Sequence, residues 1–196
     1  MFGMIVIFIL AYLIGSIPTG YIIVKLFTGQ DIRTVGSGST GATNVKRVMG
    51  KKWFFAVMIL DAIKGALPVL ITSMYFMDGW SITPVIAAVA VLLGHSKSIF
   101  LKFTGGKSVA SGVGTILALN LYAGLIIAAI WAVTTYCSKY VSLGSIVAIS
   151  LSPVIMRIFG APDSYIFYCA AGAIYIIYLH RENIKRLLKG EENKVR

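Results

Sequence analysis

Three polar segments hold the side chains whose types and spacing suit chemistry. The first reads GSGSTGATNV from Gly36 to Val45, followed by Lys46 and Arg47. Gly36, Gly38 and Gly41 alternate with hydroxyl residues, so successive backbone N–H groups can converge on one anion, and Arg47 offers a bidentate partner for phosphate oxygens. Ser37, Gly38, Ser39, Thr43 and Asn44 are the substrate-binding candidates of this loop. The three glycines fit GxGxxG, but a dinucleotide site needs a preceding strand and a βαβ unit, and here the flanks are long apolar runs. A loop that needed only flexibility would not require four hydroxyl groups and an arginine.

The second segment, FTGGKSVASGVG from Phe103 to Gly114, has a Gly-Gly turn that delivers Lys107 to the start of a helix. Free N–H groups and the helix dipole favour an anion there. A P-loop would need glycine where Leu101 stands, so nucleotide hydrolysis of that type is not supported. Ser108, Ser111, Gly112 and Gly114 also form a small-residue stripe suited to close helix packing. In the third segment, HRENIKRLLKG, His180 and Asn183 share a helical face that Ile184 and Leu187 continue, while Arg181, Lys185 and Lys189 take another. An amphipathic surface helix explains the apolar and basic faces, but not why two polar side chains extend the apolar one.

Weaker signals flank these. Ser142 and Ser145 lie in YVSLGSIV after Lys139, where serines commonly bond back to the helix backbone. Asp61 and Lys64 fall inside an apolar run, where a lone charge costs about 2.5–3.5 kcal/mol, so they are expected to pair or to contact another helix. Cys137 and Cys169 form no CxxC or Cys/His cluster and read as small buried hydrophobes.

The elements that must carry these groups follow from composition. Of 196 residues, 58% are hydrophobic and 13% charged, with a net charge of +11. A soluble domain carries about a quarter charged residues, and a chain this small has too little interior to hide so much apolar surface from water. The basic residues punctuate apolar runs instead of building a solvated face, which argues against nucleic-acid binding. The start, MFGMIVIFILAYLIG, has no basic flank and is expected to be a retained span.

Apolar candidates cover residues 3–26, 53–76, 82–95, 108–136, 141–157 and 164–180, against about 20 residues for a helical crossing. The polar stretches 28–52, 95–107 and the tail after His180, with Arg196 at its end, hold most of the lysines and arginines, which assigns all three to the cytoplasmic side. The connections around Asp78 and Asp163 then face out. Returning from Lys107 to the tail on one side takes an even number of crossings, so 108–136 is expected to split at Asn120. The expected fold is an all-α polytopic bundle of about seven transmembrane helices, N-terminus outside and C-terminus cytoplasmic, in a single domain of residues 1–196. The polar segments then share the inner side, which implies a site for one or more phosphates beside the lipid core.

GSGSTGATNV, GGKSVASGVG and HRENIKRLLKG together resemble the motifs of the bacterial acyl-phosphate-dependent glycerol-3-phosphate acyltransferases, the PlsY family. The likeness extends to AYLIGSIPTGYIIVK, LDAIKG, LGH at Gly94 and His95, and YVSLGSI, and so covers essentially the whole chain. The resemblance implies acyl transfer from acyl phosphate to the 1-hydroxyl of glycerol 3-phosphate, giving lysophosphatidate at the start of phospholipid synthesis. It implies a multi-pass protein of the bacterial inner membrane, acting as a monomer, without metal or cofactor, and supplied by an acyl-phosphate-forming enzyme. Ser37 and Arg47 match the first motif's phosphate contacts, Lys107 the second motif's lysine, Ser145 a serine between the fifth and sixth spans, and His180 with Asn183 the third motif's polar pair. Ser108 stands where many members have glycine. The HxxxxD dyad of soluble-type acyltransferases is absent after both His95 and His180.

Arg47, Lys107 and His180 are therefore the expected catalytic residues. Acyl phosphate is already an activated anhydride, so the protein's tasks are to hold two mutually repelling phosphates and to aim a hydroxyl at the carbonyl. Either His180 or a substrate phosphate takes the proton. A transporter or binding protein for an organic phosphate is the rival from another class; it would show related halves and a polar path across the midplane. A CDP-alcohol phosphotransferase would need an acidic metal-binding cluster, which seven scattered acidic residues do not supply.

Overall fold

The computed structural model describes residues 2–76 and 82–194; Met1, the connection holding Asp78, and Arg196 lie outside the described residues. Ten α-helices occur among the described residues: α1 Phe2–Ser16, α2 Thr19–Thr28, α3 Ala42–Met49, α4 Lys51–Tyr75, α5 Thr83–Ser96, α6 Val109–Leu119, α7 Leu121–Ser138, α8 Val141–Ile158, α9 Asp163–Leu179 and α10 Arg181–Leu188. Four apolar stretches have the length of a crossing, the first being α1 and α2 together, and α5, α6 and α9 are shorter apolar helices. At 1.5 Å per residue α6 rises only about 16 Å, half of a bilayer core. Large apolar side chains stand exposed along these helices, among them Phe8, Ile59, Ile63, Leu125, Val154 and Ile174, as lipid-facing surfaces require. The chain divides into two compact units, residues 1–115 and 116–196.

In the first unit, backbones approach through glycine. A β-carbon on Gly15 would lie 2.6 Å from the Val91 carbonyl oxygen, and one on Gly94 would collide with the Tyr12 carbonyl, so α1 and α5 meet at reciprocal glycines. Likewise Gly65 faces the Ser111 carbonyl and Gly114 the Ala62 carbonyl, which brings α4 against α6. The first apolar stretch is not one helix as its hydropathy suggests. Pro18 lacks an N–H and separates α1 from α2. The carbonyls exposed at the break find new donors: Ser98 Oγ bonds the Ser16 oxygen at 2.6 Å and Lys64 Nζ the Ile17 oxygen at 2.7 Å. Lys64 also lies 2.8 Å from Asp61 Oδ1, the pairing that two charges inside a span require.

In the second unit α8 packs against both α7 and α9. Asn120 ends the preceding helix and caps α7, its Oδ1 accepting the Ala123 N–H at 3.0 Å, so the expected split falls at this residue. Pro153 leaves the Ile149 carbonyl without its helical donor, and Ser152 Oγ fills that place at 2.7 Å. Both cysteines are free; Cys169 is buried, but Cys137 is exposed, because an apolar helix in lipid need not turn its small side chains inward.

Candidate functional site

The first loop is organised from below by α3. Ala42, Val45, Val48 and Met49 fall on one helical face and join Val24, Ile32 and Val57 in an apolar cluster, with Trp53 against Phe27 at 4.4 Å. The opposite face presents Thr43, half-buried, and Arg47, exposed, one turn apart. At the loop's entrance Asp31 accepts from the Arg33 backbone and side chain, and the Arg33 guanidinium 2.6 Å away holds the Asp31 carboxyl down at about 2. Gly36 and Gly38 adopt left-handed φ values of 61° and 69°. A β-carbon on Gly36 would also collide with Asn44 Oδ1 and stand 3.5 Å from Arg47 Cδ.

Asn44 is buried and its amide knits the loop together. Its Oδ1 accepts from the Ser37 N–H at 3.0 Å, and its Nδ2 donates toward the carbonyls of Ile32, Val35 and Ser39 at 3.2, 2.9 and 2.9 Å. The Gly38 N–H goes to the Val35 carbonyl and the Gly41 N–H to Ser39 Oγ. The anion nest expected from the glycine spacing therefore differs in its donors: the amides of Ser37, Gly38 and Gly41 are spent inside the loop. Among the candidates here, the exposed Ser37 together with Thr43 and Arg47 are the groups turned away from the apolar cluster.

Lys107 is half-buried and held between two anchors on the last turn of α5. The Gly106 N–H bonds the His95 carbonyl at 3.1 Å, and Ser108 Oγ bonds the Leu92 carbonyl at 2.8 Å. Ser108 has a φ of 58°, the conformation glycine adopts without strain, and its hydroxyl bond offsets that cost. α6 begins one residue later, so Lys107 lies just before a helix N-terminus as its spacing suggests.

His180 lies in the second unit between α9 and α10 and is 3% exposed. Its Nδ1 is 2.8 Å from the Ile176 carbonyl oxygen. A carbonyl only accepts, so Nδ1 carries a proton, and in the neutral form of the ring Nε2 is the acceptor. Asn183 is buried on the same side of α10, while Arg181, Lys185 and Lys189 are exposed, which is the division read from the sequence.

The residue that sequence reasoning missed is Glu192. Its Oε1 accepts from Asn183 Nδ2 at 2.7 Å and from Ser142 Oγ at 2.9 Å, and its Oε2 accepts from Arg186 Nε at 2.7 Å. Burial opposes the charged form, yet the bonds from Asn183, Arg186 and Ser142 outweigh it and hold the carboxyl below its ordinary range. Gly190, with a φ of 71°, turns the chain back at the end of α10 so that Glu192 reaches these partners. That glycine followed two residues on by an acid was the available signal. Ser145 Oγ donates to the Val141 carbonyl at 2.8 Å, the helical back-bond, and accepts from Trp131 Nε1 at 3.3 Å. Among the described residues no three His, Cys, Asp or Glu side chains gather as metal ligands do.

Comparison with known proteins fits these elements. The family profile described as glycerol-3-phosphate acyltransferase matches residues 5–190. A protein of that description from Trichormus variabilis is 44% identical across 95% of this chain and 89% of its own length. One from Endomicrobium trichonymphae is 44% identical across 96% and 94%. Two crystal structures of PlsY (YgiH), an integral membrane glycerol 3-phosphate acyltransferase, share the fold. Its glycerol 3-phosphate form has a TM-score of 0.94 at 39% identity, covering 99% of this chain and 96% of that one. Its lysophosphatidic acid form has a TM-score of 0.91 at 36% identity with the same coverage. The chain is an integral membrane protein and belongs to the PlsY family of glycerol-3-phosphate acyltransferases.

Proposed function

We propose that this chain transfers a fatty acyl group from an acyl phosphate to the 1-hydroxyl of glycerol 3-phosphate. The glycerol oxygen attacks the acyl carbonyl, the bond from that carbon to the phosphate oxygen breaks, and the hydroxyl proton leaves with the phosphate. The products are 1-acyl-glycerol 3-phosphate and inorganic phosphate. The observation that carries the donor reading is the pairing of two cationic features, Arg47 on the outward face of α3 and Lys107 on the turn over α5, with a reaction whose two substrates each bear a phosphate. The glycerol 3-phosphate and lysophosphatidic acid forms of the related PlsY support the acceptor and the product.

In this reading Arg47 and Lys107 hold the phosphates and stabilise charge on the one that leaves. Ser37 and Thr43 stand with Arg47 on the first loop's ligand side, Gly38, Ser39 and Asn44 set the loop's shape through bonds within it, and Ser145 and Asn183 contribute further polar contacts. His180 presents Nε2 to the acceptor hydroxyl and orients it. Attack is direct: Ser145 donates to its own helix, and the donor is activated without a covalent enzyme intermediate. Residues 1–196 act as one domain, a reading supported by the family match running through both units. The chain works as a monomer in the bacterial inner membrane with its N-terminus outside and the three polar segments in the cytoplasm, beside an enzyme that makes acyl phosphate. It opens phospholipid synthesis.

The test is donor choice. Purified protein with glycerol 3-phosphate is expected to make lysophosphatidate from palmitoyl phosphate and not from palmitoyl-CoA. Turnover with the thioester, or with neither donor, overturns the reading.

A further inference from the structure

Three ionisable side chains are buried in the first unit away from the residues assigned to substrate: Asp61 is 2% exposed, Lys64 8% and His95 7%. Burying charge inside an apolar helix pair is costly unless each group is paired, and packing alone would be served by apolar residues. Their geometry forms a chain. Lys64 Nζ joins the Ile17 carbonyl at the break in the first span to Asp61 Oδ1, and His95 Nδ1 faces that same carboxylate oxygen at 3.8 Å, a close electrostatic contact without a hydrogen bond. The far edge of the His95 ring lies under Gly106. A β-carbon there would collide with Nε2 and stand 2.9 Å from Cδ2 and 3.1 Å from Cε1, and a β-carbon on Gly105 would collide with the His95 carbonyl. Neither glycine is among the residues with positive φ; Gly106 is small to make room for the His95 ring, and Gly105 to let the chain approach the backbone of His95 and Ser96.

From this geometry we propose that Asp61, Lys64 and His95 are a positioning network for the Lys107 turn, with His95 as the member that touches it. The proposal rests on Lys107 being a phosphate ligand. The Asp61–Lys64 pair, tied to the first-span break, backs the imidazole on one edge. The other edge and the His95 carbonyl form the seat on which Gly105 and Gly106 rest. Lys107 is the next residue, and Ser108 fixes the turn's other side on Leu92. A displacement of about 1 Å in a group that holds a reacting phosphate can cost on the order of 10²-fold in rate, so a seat of this kind has a kinetic consequence without touching substrate.

The experiment compares wild type with His95→Ala, His95→Gln, Gly106→Ala and the double variant His95→Ala/Gly106→Ala. It measures kcat and KM with palmitoyl phosphate and glycerol 3-phosphate, beside the thermal midpoint in detergent. His95→Ala is expected to lower kcat/KM by about tenfold or more in protein that still melts cooperatively. His95→Gln, which keeps much of the volume, is expected to retain more activity. Gly106→Ala is expected to lose at least as much as His95→Ala, and the double variant to exceed Gly106→Ala alone because the missing ring makes room for the added methyl. Unchanged kinetic constants in His95→Ala, or a double variant no better than Gly106→Ala, overturn the proposal. If His95→Ala does not fold, the glutamine and double variants decide it by the same comparisons. If wild type fails to use palmitoyl phosphate, the donor reading fails and the network is judged separately by the midpoint shift that glycerol 3-phosphate produces. A shift lost in His95→Ala and in Gly106→Ala and partly kept in His95→Gln supports the network; a shift equal to that of wild type in His95→Ala or Gly106→Ala overturns it.

Discussion

At the scale of single residues, His180, which opens the third segment, and Glu192, just beyond its end, have different surroundings and different expected sensitivities. His180 donates through Nδ1 to Ile176, so the ring arrives with Nε2 as its acceptor. Because the donor is activated and the leaving phosphate can take the proton, His180→Ala is expected to lower kcat by roughly 10²-fold and leave measurable turnover. Steady-state assays at saturating substrates check this, and complete loss with both substrates still bound would make His180 the obligatory base. Glu192 acts on the fold instead. Glu192→Ala leaves Ser142, Asn183 and Arg186 without their shared acceptor and is expected to cost about 2–3 kcal/mol, with Glu192→Gln losing less, as a melt in detergent would read. The carboxyl titrates below its ordinary value in the fold, so its stabilisation is complete above the ordinary value of 4.5 and disappears as pH falls through the lowered one. Acid melts of wild type should therefore converge on those of Glu192→Ala only below that range. Arg47, Lys107, His180 and Asn183 were visible as candidates in the sequence because cationic and polar residues in Gly-rich or apolar surroundings are conspicuous. Glu192 was not, since an acid beyond a helix end reads as solvated until Gly190 is seen to fold it back.

At the scale of elements, hydropathy and charge placed most helix boundaries within a few residues, and the need for an even number of crossings located the division at Asn120 before its cap was visible. The break at Pro18 was hidden because the apolar run continues through it; what marks it is the pair of donors, Ser98 and Lys64, brought from other segments to the freed carbonyls. The close approach of α4 and α6 was likewise visible only as a stripe of small residues, without its partner. That approach is directly testable. A β-carbon at Gly114 meets backbone at Ala62, which cannot swing aside as a side chain can. Gly114→Val is expected to destabilise the protein by about 2–3 kcal/mol, while Gly3→Ala, with nothing within 4 Å, should leave the thermal midpoint unchanged.

At the scale of the whole molecule, a net charge of +11 on a chain that is 58% hydrophobic divides into separate uses. Part of it belongs to the exposed basic face of α10, and part to Arg47 on α3 and Lys107 on the turn before α6, which we read as the phosphate partners; Lys64 is cancelled by Asp61 and adds nothing to the net. Composition made the membrane class legible and three motifs in order made the family legible. The supports beneath those motifs were not, because the contacts of Asn44, His95 and Glu192 exist only after folding. The central claim is direct transfer between two phosphate-bearing substrates, and its most direct test is to follow inorganic phosphate release from palmitoyl phosphate with and without glycerol 3-phosphate. The account predicts phosphate and lysophosphatidate appearing one for one, only when glycerol 3-phosphate is present. A burst of phosphate stoichiometric with enzyme in its absence would reveal an acyl-enzyme and contradict it.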